Sequence, residues 1–349
     1  MSRPPVLFRL DGASFLGYGH IYQSLSLAAE FRKAGREAVF VMKRHEHEPL
    51  ALVEREGYPV LPLAPGADEA QDAREVVGHA RRLGVGLVVV DHHELGHGHM
   101  EALRDAGLRT LYIDDAGTRS FSCDVLVNYN LYAKRLDLRT EPRTRRLLGP
   151  RFALLRGQFQ RDPDLRPESR RHLLVTLGGG FARGMVLKVL EGLRLLDRPL
   201  LERLAPRVLL GPGYPEPEEV IRRHDGGPIA VLRSGGDMRT HMEAALFAVS
   251  GAGGTLYELA RMGVPAALVV LDDNQRLIAQ EFVEQGLAKS LGWHEDVYGQ
   301  AVASAVTGWA RDPDGLRALR ERLAFLVDGK GCERVAAAAL ELEGGRTPC

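Results

Sequence analysis

The feature that most constrains this chain is an alternation. Short apolar runs lie at Val6–Leu10, Ala38–Met42, Gly86–Asp91 and Thr110–Ile113 in the first half. Others lie at Leu173–Leu177, Val208–Leu210, Ile229–Leu232, Ala245–Val249 and Pro265–Leu271 in the second. Most give way to a polar or glycine-rich loop and then to a segment of helical periodicity. Strands that are apolar throughout must be covered on both faces, which means a parallel sheet between layers of helices. From Leu138 to Arg171 the rhythm breaks, and arginines and prolines replace the apolar runs. The reading is therefore α/β, with two Rossmann-like domains and a cleft between them. Residues 1–140 form the first domain, 141–171 a linker, and 172–349 the second domain with the terminal helices. A chain of 349 residues has room for both.

Composition excludes several classes of function. Lys+Arg and Asp+Glu both total 46, so there is no bulk positive charge to hold a nucleic acid. No apolar run approaches the roughly 20 residues that a membrane helix needs. The amino terminus lacks the apolar core of a signal peptide. Cys123, Cys332 and Cys349 are scattered and share no metal-ligand spacing. The expectation is a reduced, cytoplasmic protein with no metal and no cofactor.

The stretch Val249–Gln275 carries the clearest chemistry. Ser250, Gly251, Gly253 and Gly254 separate an apolar strand from a helical pattern that begins at Thr255. Glycines let a backbone approach a ligand closely, and helix N–H groups with the helix dipole favour a phosphate. Thr255 and Glu258 stand at capping-box spacing. The next strand ends in Asp272-Asp273-Asn274-Gln275, at the edge where ligands sit in open α/β sheets. Gly178-Gly179-Gly180 forms a second candidate phosphate loop, without the Lys-Ser/Thr of a P-loop. Glycines alone fit a plain βα turn equally well. The strand-end pair Asn274 and Gln275 tips the reading toward a nucleotide.

In the first half His20 stands out, following Gly17-Tyr18-Gly19 where a helix begins. The positive end of that helix favours a neutral ring suited to a general base, the alternative being a histidine that packs at a turn. In the run Asp91–His99, His93 and His97 have the i,i+4 spacing of a zinc pair on a helix, but Gly96 and Gly98 argue for a loop. Asp91, His92 and His93 are kept as site residues at a strand end. His45 and His47 read as solvated. Asp114 and Asp115 end another strand, where they can bind a sugar hydroxyl, orient a histidine or cap a helix.

Assembled in order, these blocks resemble the UDP-sugar hydrolases of the pseudaminic acid pathway and their spore-coat polysaccharide relatives. That family has the GT-B glycosyltransferase fold. The resemblance rests on Gly17–His20, Val90–His92, Tyr112–Asp115, Leu148–Arg156, Leu177–Gly179, Ser250–Glu258, Asp273–Arg276 and Gly292-Trp293. It implies a UDP-sugar substrate, with Gly178, Gly179, Gly251, Gly253, Gly254 and Thr255 at the nucleotide diphosphate and Glu258 at the ribose. Gly19, Asp91, His92, Asp115, Asn274 and Gln275 would face the sugar, and His20, Asp11 and His93 would form the catalytic group. His20 would help water attack the anomeric carbon without a metal. The chain departs from the family pattern at Gln23 and Ser24, where an arginine and a cysteine are usual. It departs again at His93, usually a tyrosine, and at the inserted Gly12. A donor site retained beside an altered sugar site also suits a glycosyltransferase with a glycan or lipid acceptor. A third alternative is a nucleotide-sugar-binding scaffold without turnover.

Overall fold

The computed structural model describes residues 3–344, apart from 13–17, 45–46, 65, 93, 115–116, 118–119, 167–168, 180–182 and 235–236. Among these residues the chain divides into two compact units, Met1–Gly157 with Lys330–Cys349, and Gln158–Gly329. No helix among them is long and apolar enough to cross a membrane.

In the first unit the strands are β1 (Val6–Leu10), β2 (Ala38–Lys43), β3 (Val60–Leu63), β4 (Leu87–Asp91), β5 (Arg109–Ile113), β6 (Ser120–Phe121), β7 (Val125–Asn128), β8 (Arg139–Thr140) and β9 (Arg145–Leu148). The helices are α1 (Gly19–Lys33), α2 (His47–Arg55), α3 (Glu69–Leu83) and α4 (His97–Asp105). Seven strands form a sheet in the order β3-β2-β1-β4-β5-β7-β9, and β6 pairs with β8. Neighbours in the large sheet run parallel, and β1 is in register with β4 so that Leu10 lies opposite Asp91. Strand order reverses between β1 and β4, the switch point where such sheets bind ligands at their carboxyl edge. Every residue of β1 and β4 is buried, the charged Arg9 and Asp91 included.

The second unit contains β10 (His172–Thr176), β11 (Arg207–Leu210), β12 (Ala230–Arg233), β13 (Ala245–Gly251), β14 (Ala266–Val270) and β15 (Lys289–Trp293). Its helices are α5 (Arg183–Arg194), α6 (Arg198–Leu204), α7 (Pro217–His224), α8 (Met238–Glu243), α9 (Thr255–Arg261), α10 (Arg276–Glu284), α11 (Gly299–Ala310) and α12 (Pro313–Ala324). The parallel sheet has the order β12-β11-β10-β13-β14-β15, with its own switch point between β10 and β13, where Thr176 lies opposite Ser250. Its core gathers Leu173, Val175, Val189, Leu190, Phe247 and Val249 with Trp309.

Three details differ from the sequence reading. The last helix, α13 (Gly331–Gly344), packs in the first unit rather than the second. It lies against α1, β5 and β7, and its Glu343 pairs with Arg36. Residues 145–148, read as linker, form the outermost strand of the first sheet beside β7. His97 to His99, read as loop, open α4, with Gly96 as the helix cap and Gly98 inside the first turn.

Candidate functional site

Two groups of expected residues come together, one in each unit, each at the carboxyl edge of its sheet's switch point. In the first unit, α1 starts at Gly19 and puts His20 in its first turn, while Asp91 is the last residue of β4. His20 Nδ1 lies 2.6 Å from Asp91 Oδ1. A carboxylate only accepts, so Nδ1 carries the proton in this contact. Asp91 is 1% exposed, and its Oδ2 accepts from Gln23 Nε2 at 2.8 Å and Ser24 Oγ at 2.9 Å. Burial pushes its pKa up. The opposing charge of His20 and the donors on His20, Gln23 and Ser24 outweigh that and hold the carboxyl below the usual range. Asp91 was expected at the sugar. With its oxygens taken up inside the protein, it stands behind His20 instead.

His92 points another way. Its Nε2 lies 2.8 Å from Asp11 Oδ2, and its Nδ1 accepts the Glu94 N–H at 3.0 Å. With Nδ1 accepting, Nε2 must donate, so the ring is neutral and both nitrogens are engaged. Asp11, expected among the catalytic groups, is buried and accepts from Arg9 Nη1 at 2.7 Å, from the Lys43 N–H at 2.7 Å and from His92. Arg9, fully buried on β1, reaches Asp72 of α3 as well, and Asp72 in turn meets His99 Nε2 at 3.1 Å. Burial pushes both Asp11 and Asp72 upward. The bonds from His92 or His99 and from Arg9 hold both far below the usual carboxylate range. Asp11 and His92 thus tie β1 to the loop after β4. His93 and Asp115 lie outside the described residues. Gly19 is exposed at the helix start.

In the second unit the two glycine loops meet. Gly178, at φ +88°, and Gly179 follow β10, while Gly251 ends β13 and Gly253 and Gly254 follow it. A Cβ on Gly251 would stand 3.3 Å from the Leu177 carbonyl, and one on Gly211 would stand 2.2 Å from the Gly178 carbonyl. Glycine at these places is what allows the loops to touch. Gln275 Oε1 accepts the N–H groups of Ala252 and Leu271, both at 3.1 Å, so Gln275 staples the loop after β13 to the end of β14. Asn274 is exposed beside it, and Glu258 is largely buried on α9. The capping box is not formed: the cap is Gly254, with helical φ and ψ and no side-chain cap bond, and Thr255 is already the first helical residue.

Gln23, Ser24 and Tyr129 around Asp91, and Arg9, Asp72 and His99 beneath Asp11, are the site residues that the sequence reading did not assign a role. Arg9 leaves a trace, as the one charge inside an apolar strand (Val6-Leu-Phe-Arg-Leu10). Its partner Asp72 lies 63 positions away and leaves none.

No family model matches the chain. Three curated relatives do. An uncharacterised protein of Methanocaldococcus jannaschii is 21% identical over 79% of this chain and 57% of its own length. The UDP-2,4-diacetamido-2,4,6-trideoxy-beta-L-altropyranose hydrolase of Campylobacter jejuni is 25% identical over 53% of this chain and 64% of its own. The spore coat polysaccharide biosynthesis protein SpsG of Bacillus subtilis is 29% identical over 57% and 59%. The chain thus spans roughly three fifths of the relatives it matches. Among solved structures, MurG of Acinetobacter baumannii superposes with a TM-score of 0.73 at 15% identity, over 97% of this chain and all of that one. The calicheamicin glycosyltransferase CalG4 gives 0.66 at 15%, over the whole of both chains. The chain is therefore a GT-B-fold relative of the UDP-diacetamido-trideoxy-altropyranose hydrolase and of SpsG.

Proposed function

We propose that this protein hydrolyses a UDP-linked modified amino sugar, for a bacterial surface glycan of the nonulosonic acid type. The observation that carries the reading is the His20–Asp91 pair at 2.6 Å, at the switch point where α/β sheets hold ligands. His20 Nε2 takes a proton from water as its oxygen bonds to the anomeric carbon. The C–O bond to UDP breaks, and its electron pair leaves on the diphosphate. Asp91 supports the imidazolium that forms, as the carboxylate of a hydrolytic triad does. In the second unit, Gly178, Gly179, Gly251, Gly253, Gly254 and Thr255 take the diphosphate through backbone N–H groups, which also stabilise the charge that develops there. Glu258 takes the ribose, and Asn274 lies toward the sugar. The hydrolase among the relatives supports this reading. The fold neighbour named as a glycosyltransferase, CalG4, supports a second one, transfer of the same sugar to a glycan or lipid acceptor.

The test is UDP release from a panel of UDP-linked acetamido and trideoxy sugars, followed by NMR without acceptor. Free sugar appearing with UDP, and lost in His20→Ala while UDP still binds, supports hydrolysis. Release only after an acceptor is added establishes transfer instead. Unchanged turnover in His20→Ala removes that residue from the reaction.

A further inference from the structure

Asp91 orients His20 only if its own carboxylate is held still, and the groups that hold it form a chain leading away from the reacting edge. Gln23 is 6% exposed, one turn along α1 from His20, and its amide meets Asp91 Oδ2 at 2.8 Å. A carboxylate accepts and never donates, so the amide nitrogen must face it and Oε1 must face the other way. There Oε1 accepts the Tyr129 hydroxyl at 2.7 Å, and Tyr129, just beyond β7, is itself buried. Ser24 fills the remaining approach to Oδ2. The Gln23 nitrogen also lies 3.3 Å from His20 Nδ1. With Nδ1 protonated both are donors and no hydrogen bond joins them, so the Nδ1 proton goes to Asp91.

The geometry points to Gln23 and Tyr129 as positioning residues, a relay that fixes the amide, through it the Asp91 carboxylate, and through that the Nδ1–H tautomer of His20. The consequence rests on the proposed hydrolysis, since only a ring with its lone pair on Nε2 can take a proton from water there. Asparagine and glutamine amides can be turned over with little change of shape. Here the accept-only Asp91 carboxylate sets which way the amide faces, and the Tyr129 hydroxyl holds its Oε1 end in place.

The test needs a readout that does not depend on turnover. Long-range proton–nitrogen spectra of histidine-labelled protein, with His20 assigned by its loss in His20→Ala, report the tautomer directly. In the wild type we expect a protonated Nδ1, an unprotonated Nε2 and a strongly downfield Nδ1 proton. Tyr129→Phe and Gln23→Met should introduce a fraction with Nε2 protonated and broaden or erase the downfield signal. They should also lower kcat about tenfold at unchanged KM, the effect of losing one hydrogen bond in a carboxylate's shell. If Gln23→Met fails to fold, Tyr129→Phe decides, because it deletes a single oxygen. Unaltered His20 nitrogen shifts in Tyr129→Phe overturn the relay, whatever the activity. A wild type with the expected tautomer and no turnover on any donor leaves the relay standing and overturns the hydrolysis.

Discussion

At the scale of single residues, His20 and His92 have different partners, although they follow the adjacent strands β1 and β4. His20 meets the buried Asp91 carboxylate through Nδ1, whereas His92 meets Asp11 through Nε2 and accepts the Glu94 N–H at Nδ1. Asp91→Asn should therefore lower kcat by about a hundredfold or more, because an amide that can donate permits the wrong imidazole tautomer. Steady-state kinetics beside a thermal melt separates this from loss of fold, and wild-type kcat would show that Asp91 does not orient the ring. His92→Gln should lower stability and leave kcat within about a few fold, since it breaks the tie to Asp11 and touches no reacting atom. The sequence pointed to His20, Asp91 and His92 because strand ends are where α/β sheets keep their chemistry. It did not separate their roles. Whether a carboxylate faces a ligand or braces a histidine depends on what stands behind it, here Gln23 from the same helix and Tyr129 from another strand's end.

At the scale of elements, the strands were legible because parallel strands are apolar along their whole length, and the two glycine loops were legible because they interrupt that pattern. Gly211 was not singled out, since its need for a bare Cα comes from the Gly178 carbonyl of a neighbouring strand's loop. Gly211→Ala should cost about 1–3 kcal/mol of stability by overpacking and weaken UDP binding by moving the loop after β10. Urea unfolding and UDP titration would check both, and wild-type values would show that the loop yields freely. The amino ends of the same strands make a separate prediction. His172 opens β10, where burial and the charge of Arg207 lower its pKa from 6.5 to about 4. A histidine depressed in the folded state protonates first in the unfolded chain, so stability is full above about pH 6.5 and is lost progressively toward pH 4. The urea midpoint should fall over that window and fall less in His172→Gln. Equal slopes for the two proteins would assign the loss to other groups.

At the scale of the whole molecule, the two α/β units followed from the repeated strand–helix rhythm, but the ownership of α13 did not. An amphipathic helix announces that one face is buried and says nothing about which core receives it. Here the receiver is the first unit, through α1, β5, β7 and the Arg36–Glu343 pair. Ending the chain at Gly329 should lower the stability of the first unit by several kcal/mol and leave the second close to its own stability. Hydrogen exchange should show lost protection in α1, β5 and β7. The same returning helix sets an order of events on the ribosome. Gln158–Gly329 is one continuous segment between the two parts of the first unit. The first unit therefore keeps the floor beneath α1 uncovered until residues 331–344 have been made, long after the rest of that unit.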